Sequence, residues 1–150
     1  MKSKIERLNG NYYLTIEYKY SVEEPFQWFS TTEGFSKWFE ELHIDNDKLV
    51  FLMDDFREEM DILSFIENKS VSYQWDQAKI TFTVKSNSIY FEEVIPVDYK
   101  NEFADSKKDM TGWCIHQERL SYLMNEKEAP EIEDIFNKWE AWVEKEVEEN

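Results

Sequence analysis

The chain has 150 residues, a single-domain length at which folding buries roughly 68–70% of the surface that the unfolded chain exposes. Its 17 basic and 33 acidic residues give a net charge of −16, and Lys107-Lys108 is the only adjacent basic pair, so nucleic acid is not an expected partner. No run approaches the roughly 18 apolar residues of a membrane helix, MKSKIERLNG lacks the apolar core of a secretory signal, and Cys114 stands alone. A cytoplasmic protein without membrane span, disulfide framework or multi-cysteine metal site is therefore expected.

The first residues, Ile5, Arg7 and Leu8, lead into Asn9-Gly10, a dipeptide suited to a tight hairpin because both residues tolerate positive φ. A short N-terminal strand folding back at that point is expected. Leu14, Ile16, Tyr18 and Tyr20 then alternate with Thr15, Glu17 and Lys19, which predicts a half-buried strand over 12–20. Between 21 and 40 the period changes. Ser21 offers a cap, Pro25 stands near a helix start, and Phe26, Phe29, Phe35, Trp38 and Phe39 recur at spacings of three and four around Gly34. Two short helices meeting near 31–34 follow from this.

Six runs come next, at about 41–45, 48–54, 57–66, 70–75, 78–85 and 88–97. They are divided by Asn46-Asp47, Asp55-Phe56, Asn68-Lys69, Asp76-Gln77 and Ser86-Asn87, which is the pattern of an antiparallel meander. Val71, Tyr73 and Trp75, and likewise Ile80, Phe82 and Val84, alternate with polar residues, so one sheet face is apolar. Beyond the polar loop 98–108, Trp113, His116, Leu120 and Leu123 share one face of a helix over about 109–125, which must cover that face. Finally Pro130 opens a second helix, with Glu131, Glu133 and Asp134 in its first turn. Its apolar stripe is Ile132, Ile135, Phe136, Trp139, Val143 and Val147. Residues 126–150 hold ten acids and three lysines, most of them on a solvated face.

This order of elements resembles the helix-grip fold of the START-like superfamily, also called SRPBCC. PFQWFSTTEGFSKWF, residues 25–39, is similar to the helix pair of the branch related to the heat-shock-protein-90 ATPase activator. Phe26 and Phe29 take its two buried positions, Ser30 its Thr position, Glu33-Gly34 the turn, Phe35 a leucine, and Trp38-Phe39 the terminal aromatic pair. TGWCIHQERLSYLM, residues 111–124, resembles the closing-helix signature through Gly112-Trp113, Leu120 and Leu123. Thr31-Thr32 replaces the usual Asp-Pro, Trp28 is bulky where the pattern is small, and the helix after Pro130 is additional. The resemblance implies an α+β helix-grip domain over 1–128, with a curved antiparallel sheet, two short helices and a long closing helix. Residues 129–150 add an acidic amphipathic helix packed on the same domain.

The resemblance also implies a pocket for a hydrophobic small molecule, a lipid or aromatic metabolite, between sheet and closing helix, with no cofactor and no assigned catalytic residue. Its expected lining is Trp38, Met60, Ile62, Tyr73, Trp75, Phe82, Tyr90, Trp113, His116 and Leu120. His116 and Tyr73 are the groups that would orient a ligand, while aromatic rings such as Trp75 and Phe82 are equally suited to filling the space. Tyr99 is a further hydroxyl candidate, and Met53 and Met110 are flexible fillers. His43 reads as a strand-edge residue and Cys114 as an inert buried thiol. Glu58-Glu59 and Glu92-Glu93 are adjacent pairs whose members point to opposite strand faces, which argues against a metal site. Two further readings are a protein-interaction module, with a homodimer or protein partner at the C-terminal helix, and an enzyme of the cyclase or dehydratase type.

Overall fold

A computed structural model describes residues 1–150. It contains eight strands: β1 (Lys2–Leu8), β2 (Asn11–Lys19), β3 (Leu42–Asp45), β4 (Lys48–Met53), β5 (Phe56–Ile66), β6 (Ser70–Trp75), β7 (Ala78–Val84) and β8 (Ser88–Pro96). A 3-10 turn, Pro25–Phe29, precedes α1 (Thr32–Phe35), and two long helices follow, α2 (Ser106–Leu123) and α3 (Ile132–Glu148). All strands join one antiparallel sheet in the order β1-β2-β8-β7-β6-β5-β4-β3. Because β2 pairs with β8, the chain's first hairpin is stitched to the end of the meander. This is the α+β helix-grip architecture, with α2 lying over the apolar sheet face.

The first hairpin turns at Asn9 and Gly10, both at positive φ, as the dipeptide predicts. The four turns from β3 to β7 use the same device at Asn46, Asp47, Asp54, Asn68 and Asp76. One boundary differs from the sequence reading: the β4–β5 turn is Asp54-Asp55, and Phe56 is already in β5, paired with Met53. Aspartate tolerates the left-handed backbone of Asp54, where a phenylalanine would be strained. A register shift between Ile62 and Ser64 bends β5.

The helix starts also differ from expectation for identifiable reasons. Ser21 does not cap; its N–H and hydroxyl both donate to the carbonyl of Met124, tying the end of β2 to the end of α2. The 3-10 turn begins at Pro25 with no side-chain cap. Thr31 is the capping residue of α1, accepting a 3.0 Å bond from the Gly34 N–H. Helix α2 starts three residues earlier than its apolar periodicity suggests, because Asp105 caps it through Lys108 N–H at 2.9 Å. In α3 the cap position is Glu131, so Pro130 lies outside the helix.

Helix α3 packs against α2 and reaches β1, an outer strand of the sheet, where Asn150 Nδ2 donates to Ile5 O at 3.1 Å. Ile135, Trp139 and Val143 are buried, but Ile132 and Phe136 are exposed, so the covered stripe is narrower than its apolar residues suggest. Glu118 of α2 anchors the contact, accepting from Trp139 Nε1 at 3.0 Å and pairing with Lys138 Nζ.

Candidate functional site

The space beneath α2 is largely occupied by rings. Phe82 stacks on Phe29 at 4.6 Å, Trp113 lies 5.2 Å from Phe91 and 4.9 Å from Trp75, and His116 stacks on Phe39 at 4.2 Å and 18°. Such close packing comes from alternation: inward-facing β8 residues Ile89, Phe91 and Ile95 and β7 residues Ile80 and Phe82 are all buried. A surface depression of about 560 Å³ lies outside this layer. It is lined mainly by polar residues near Lys2, Tyr18, Ser88 and Asn125.

The expected lining residues divide into three groups. Trp38, Met60, Tyr73, Phe82, Trp113 and Leu120 are buried, with Ile62, Trp75 and His116 half-buried. Ile62 stands opposite Tyr73, and Met60 opposite Leu49. Among the polar members, Trp38 Nε1 donates to Trp28 O at 2.7 Å and the Tyr73 hydroxyl donates to Phe29 O at 2.8 Å. These two groups are used as struts for the short helices. Tyr90 is the exception in placement. It pairs with Glu17 and Thr83 on the opposite face of the sheet from Phe91, with Lys85 Nζ 4.6 Å over its ring, so it cannot line the space under α2.

The other candidates are also accounted for. Tyr99 donates to Asp76 Oδ2 at 2.8 Å, and Asn101 Nδ2 donates to the same hydroxyl oxygen at 2.6 Å. Met110 is buried while Met53 is exposed, and His43 lies in the outer strand β3. Cys114 is a buried free thiol whose pKa is pushed well up, first by burial and then by the charge of Glu93. No group of three or more histidine, cysteine, aspartate or glutamate side chains is arranged to hold a metal ion.

What the sequence reading missed is a line of polar groups inside the grip. Glu93 is 0% exposed on the apolar sheet face, directly opposite Leu14 on one neighbouring strand and Ile80 on the other. Neither of its carboxyl oxygens meets a donor from the protein. Its carboxyl is held well above the ordinary glutamate range by burial and, secondly, by the Asp109 carboxyl of α2. Asp109 is also shifted upward by burial, although hydrogen bonds from Glu93 and Trp75 act the other way. Two such carboxyls form a coupled pair that shares a proton. Asp109 Oδ1 accepts from Trp75 Nε1 at 3.2 Å, while Oδ2 has no partner with both carboxyls ionised.

Further along α2, Gln117 accepts from the Tyr18 hydroxyl at 2.7 Å but leaves its Nε2 unpaired. His116 Nδ1 is buried without a partner, and burial, then Arg119, pulls its pKa down to about 4. The neutral imidazole is therefore the form present at neutral pH. Alternation already placed residue 93 inward with Phe91 and Ile95, and that was the signal available. The odd-numbered row of β8 carries one carboxyl among apolar residues.

Sheet, helix pair and closing helix together give the chain the helix-grip fold. The comparisons with solved structures agree. A conserved protein of unknown function from Enterococcus faecalis, EF2215, superposes with a TM-score of 0.80 at 23% identity, over 97% of this chain and 92% of that one. The Aha1 dimer of Colwellia psychrerythraea gives 0.58 at 18% identity, over 77% and 96%. CalU16 from Micromonospora echinospora gives 0.61 at 13% identity, over 97% and 96%. No protein-family model and no curated protein sequence matches the chain.

Proposed function

We propose that the protein binds a small molecule with an apolar body between the sheet and α2, using the Glu93–Asp109 pair as its polar anchor. The observation that carries this reading is Glu93 itself, a carboxyl placed without a protein donor in the middle of an apolar face. Even with a shared proton between Glu93 and Asp109, the second Glu93 oxygen stays buried without a donor, which costs free energy that a leucine there would not cost, so the position favours a ligand-facing role over a packing role. Entry is beside Trp75, which is half-buried at the rim and held there by its bond to Asp109 and by its edge contact with Trp113. Apolar burial supplies affinity at roughly 25 cal/mol per Å², and the carboxyl pair sets orientation.

Native mass spectrometry of protein purified without detergent, followed by denaturation and identification of released compounds, tests the reading. A stoichiometric small molecule is expected, and its release should be lost when Trp113→Ala opens the ring layer beneath α2. Protein that carries no compound, and that binds nothing from a cell extract of small molecules, would overturn it.

A second reading has its own observation. Phe56, Met53 and Phe103 are exposed at the same rim, Phe103 by 68%, and Phe51, Phe56 and Phe103 form a file of rings about 6 Å apart that starts at buried Phe39. Such a patch suits a protein partner. A crosslinked partner lost in Phe103→Ser, with the fold unchanged, would favour it.

A further inference from the structure

The geometry points to an organic cation, an alkyl- or arylammonium compound, as the ligand class of the Glu93–Asp109 pair, an inference that rests on the small-molecule reading above. Three separate features support it. The first is the pair itself, in which three carboxyl oxygens, both of Glu93 and Oδ2 of Asp109, accept nothing from the protein with both carboxyls ionised. The single proton that the pair shares supplies one donor for these oxygens, so the acceptor sites left over are completed by N–H donors, best of all charged ones.

The second feature is the wall. Trp75 bonds Asp109, Trp113 lies one helical turn beyond Asp109, and the two indoles meet at 4.9 Å and 69°. Aromatic faces beside a carboxylate pair are the setting in which an ammonium group gains both ion pairing and cation–π attraction. A metal ion suits the same place poorly, because only two carboxyls are present and the Trp75 N–H points into Asp109 as a donor.

The third feature is the rim and the field behind it. Asp76 acts on Glu58, Tyr99 and Asp109 alike, and its charge raises the pKa of each. With a net charge of −16, the molecule as a whole draws cations and repels anions. The groups bearing on Glu93 itself are burial and Asp109, which act in the same direction, so no protein cation already neutralises the pair.

Binding has a defined proton balance. The pair holds one shared proton before binding; when the ammonium N–H groups take its place, that proton leaves to solvent from the Glu93 carboxyl. The pair then carries two negative charges against one on the ligand, so the net charge inside the grip is unchanged.

The test uses three matched probes on the full chain: 2-phenylethylammonium, neutral 2-phenylethanol and anionic 3-phenylpropionate. Binding is read from the indole N–H resonances of Trp75 and Trp113 in nitrogen-15-labelled protein. The ammonium probe is expected to move both and to bind about tenfold or more tighter than the alcohol, with the propionate weakest. Glu93→Gln should abolish that preference, so that the ammonium and the alcohol bind alike. Calorimetry in two buffers of different ionisation heat should show a proton released for each ammonium bound. Equal binding of alcohol and ammonium, or a preference that survives Glu93→Gln, overturns the cation inference and leaves the small-molecule reading standing. If no probe moves the indoles the cation inference also falls, and the co-purification experiment decides the wider reading alone.

Discussion

The Tyr73 hydroxyl donates a 2.8 Å hydrogen bond to the backbone carbonyl of Phe29, joining the inner face of β6 to the 3-10 turn 44 residues earlier. Burial raises the Tyr73 pKa, so the hydroxyl stays protonated and donating at any working pH. Tyr73→Phe keeps the ring against Phe35 but strands a buried carbonyl. The expected loss in urea denaturation is about 1–3 kcal/mol, with ligand affinity unchanged. Wild-type stability in the variant would show that Phe29 O is satisfied in another way.

Gly34 holds the two short helices together by having no side chain. A Cβ at this position would meet Gln27 O at 1.8 Å and Trp28 Cα at 2.6 Å, both backbone atoms that cannot step aside alone. Gly34→Ala is therefore expected to destabilise by about 3 kcal/mol or more, far beyond an ordinary surface change. Gly112→Ala is the control, since its Cβ would meet nothing within 4 Å and alanine favours helix. Equal stability of the two variants would contradict the close approach at Gly34.

How much of this was legible follows from what periodicity can encode. The strands of the meander and the single apolar face were readable because Val71, Tyr73 and Trp75 alternate with polar residues, and alternation survives into structure. The first hairpin was readable because Asn9-Gly10 fits the positive φ of its turn. Tyr90 was misplaced because its aromatic character outweighed its parity: it is even-numbered on a strand whose odd residues point inward. Glu93 has inward parity but charged character, and only β2, β7 and α2 closing around it reveal that it is buried. Asp109 lies 16 residues further on, in a different element, so no local pattern links the pair. The start of α2 was missed for a similar reason, since a cap at Asp105 is not part of an apolar stripe.

The Trp139 indole anchors α3, donating to Glu118 at 3.0 Å while its ring packs edge-on against Trp142 at 5.4 Å. Trp139→Ala removes that ring and leaves Glu118 with its Lys138 partner alone. A loss of about 3–5 kcal/mol is expected by chemical denaturation, together with faster amide exchange along β1, which α3 approaches at Ile5. Unaltered exchange in β1 would mean that α3 is an independent addition to the grip.

His116 makes the fold sensitive to acid. An unfolded histidine ionises near 6.5, whereas His116 holds its neutral form down to about 4, surrounded by the rings of Trp38, Phe39 and Trp113 and by Arg119 on its own helix. The unfolded chain therefore binds the extra proton first, so the contribution present above pH 6.5 is lost as pH falls towards 4. The loss is on the order of 2–3 kcal/mol. His116→Phe keeps the stacking on Phe39 and does not titrate, so the stability difference between wild type and variant should change by that amount over this window. A difference independent of pH would show that the imidazole is not confined in its neutral form.

Glu93 acts in the opposite direction. An unfolded glutamate ionises near 4.5, whereas Glu93 keeps its proton to well above that value because Asp109 and Cys114 face it from α2, Leu14 and Ile80 flank it on the strands, and water is excluded. Between those two pH values the folded chain holds the proton that the unfolded chain releases. Its contribution is thus full below pH 4.5 and declines as pH rises. Glu93→Gln removes the titration, and its amide N–H takes the place of the Glu93 O–H as the donor to Asp109. The variant should exceed wild type in stability at pH 8 by on the order of 1–4 kcal/mol, as when other buried charged groups are replaced, and the advantage should vanish near pH 4. Urea midpoints at several pH values read this directly. A destabilised variant at pH 8 would mean that the carboxyl, and not merely its shape, holds α2 to the sheet.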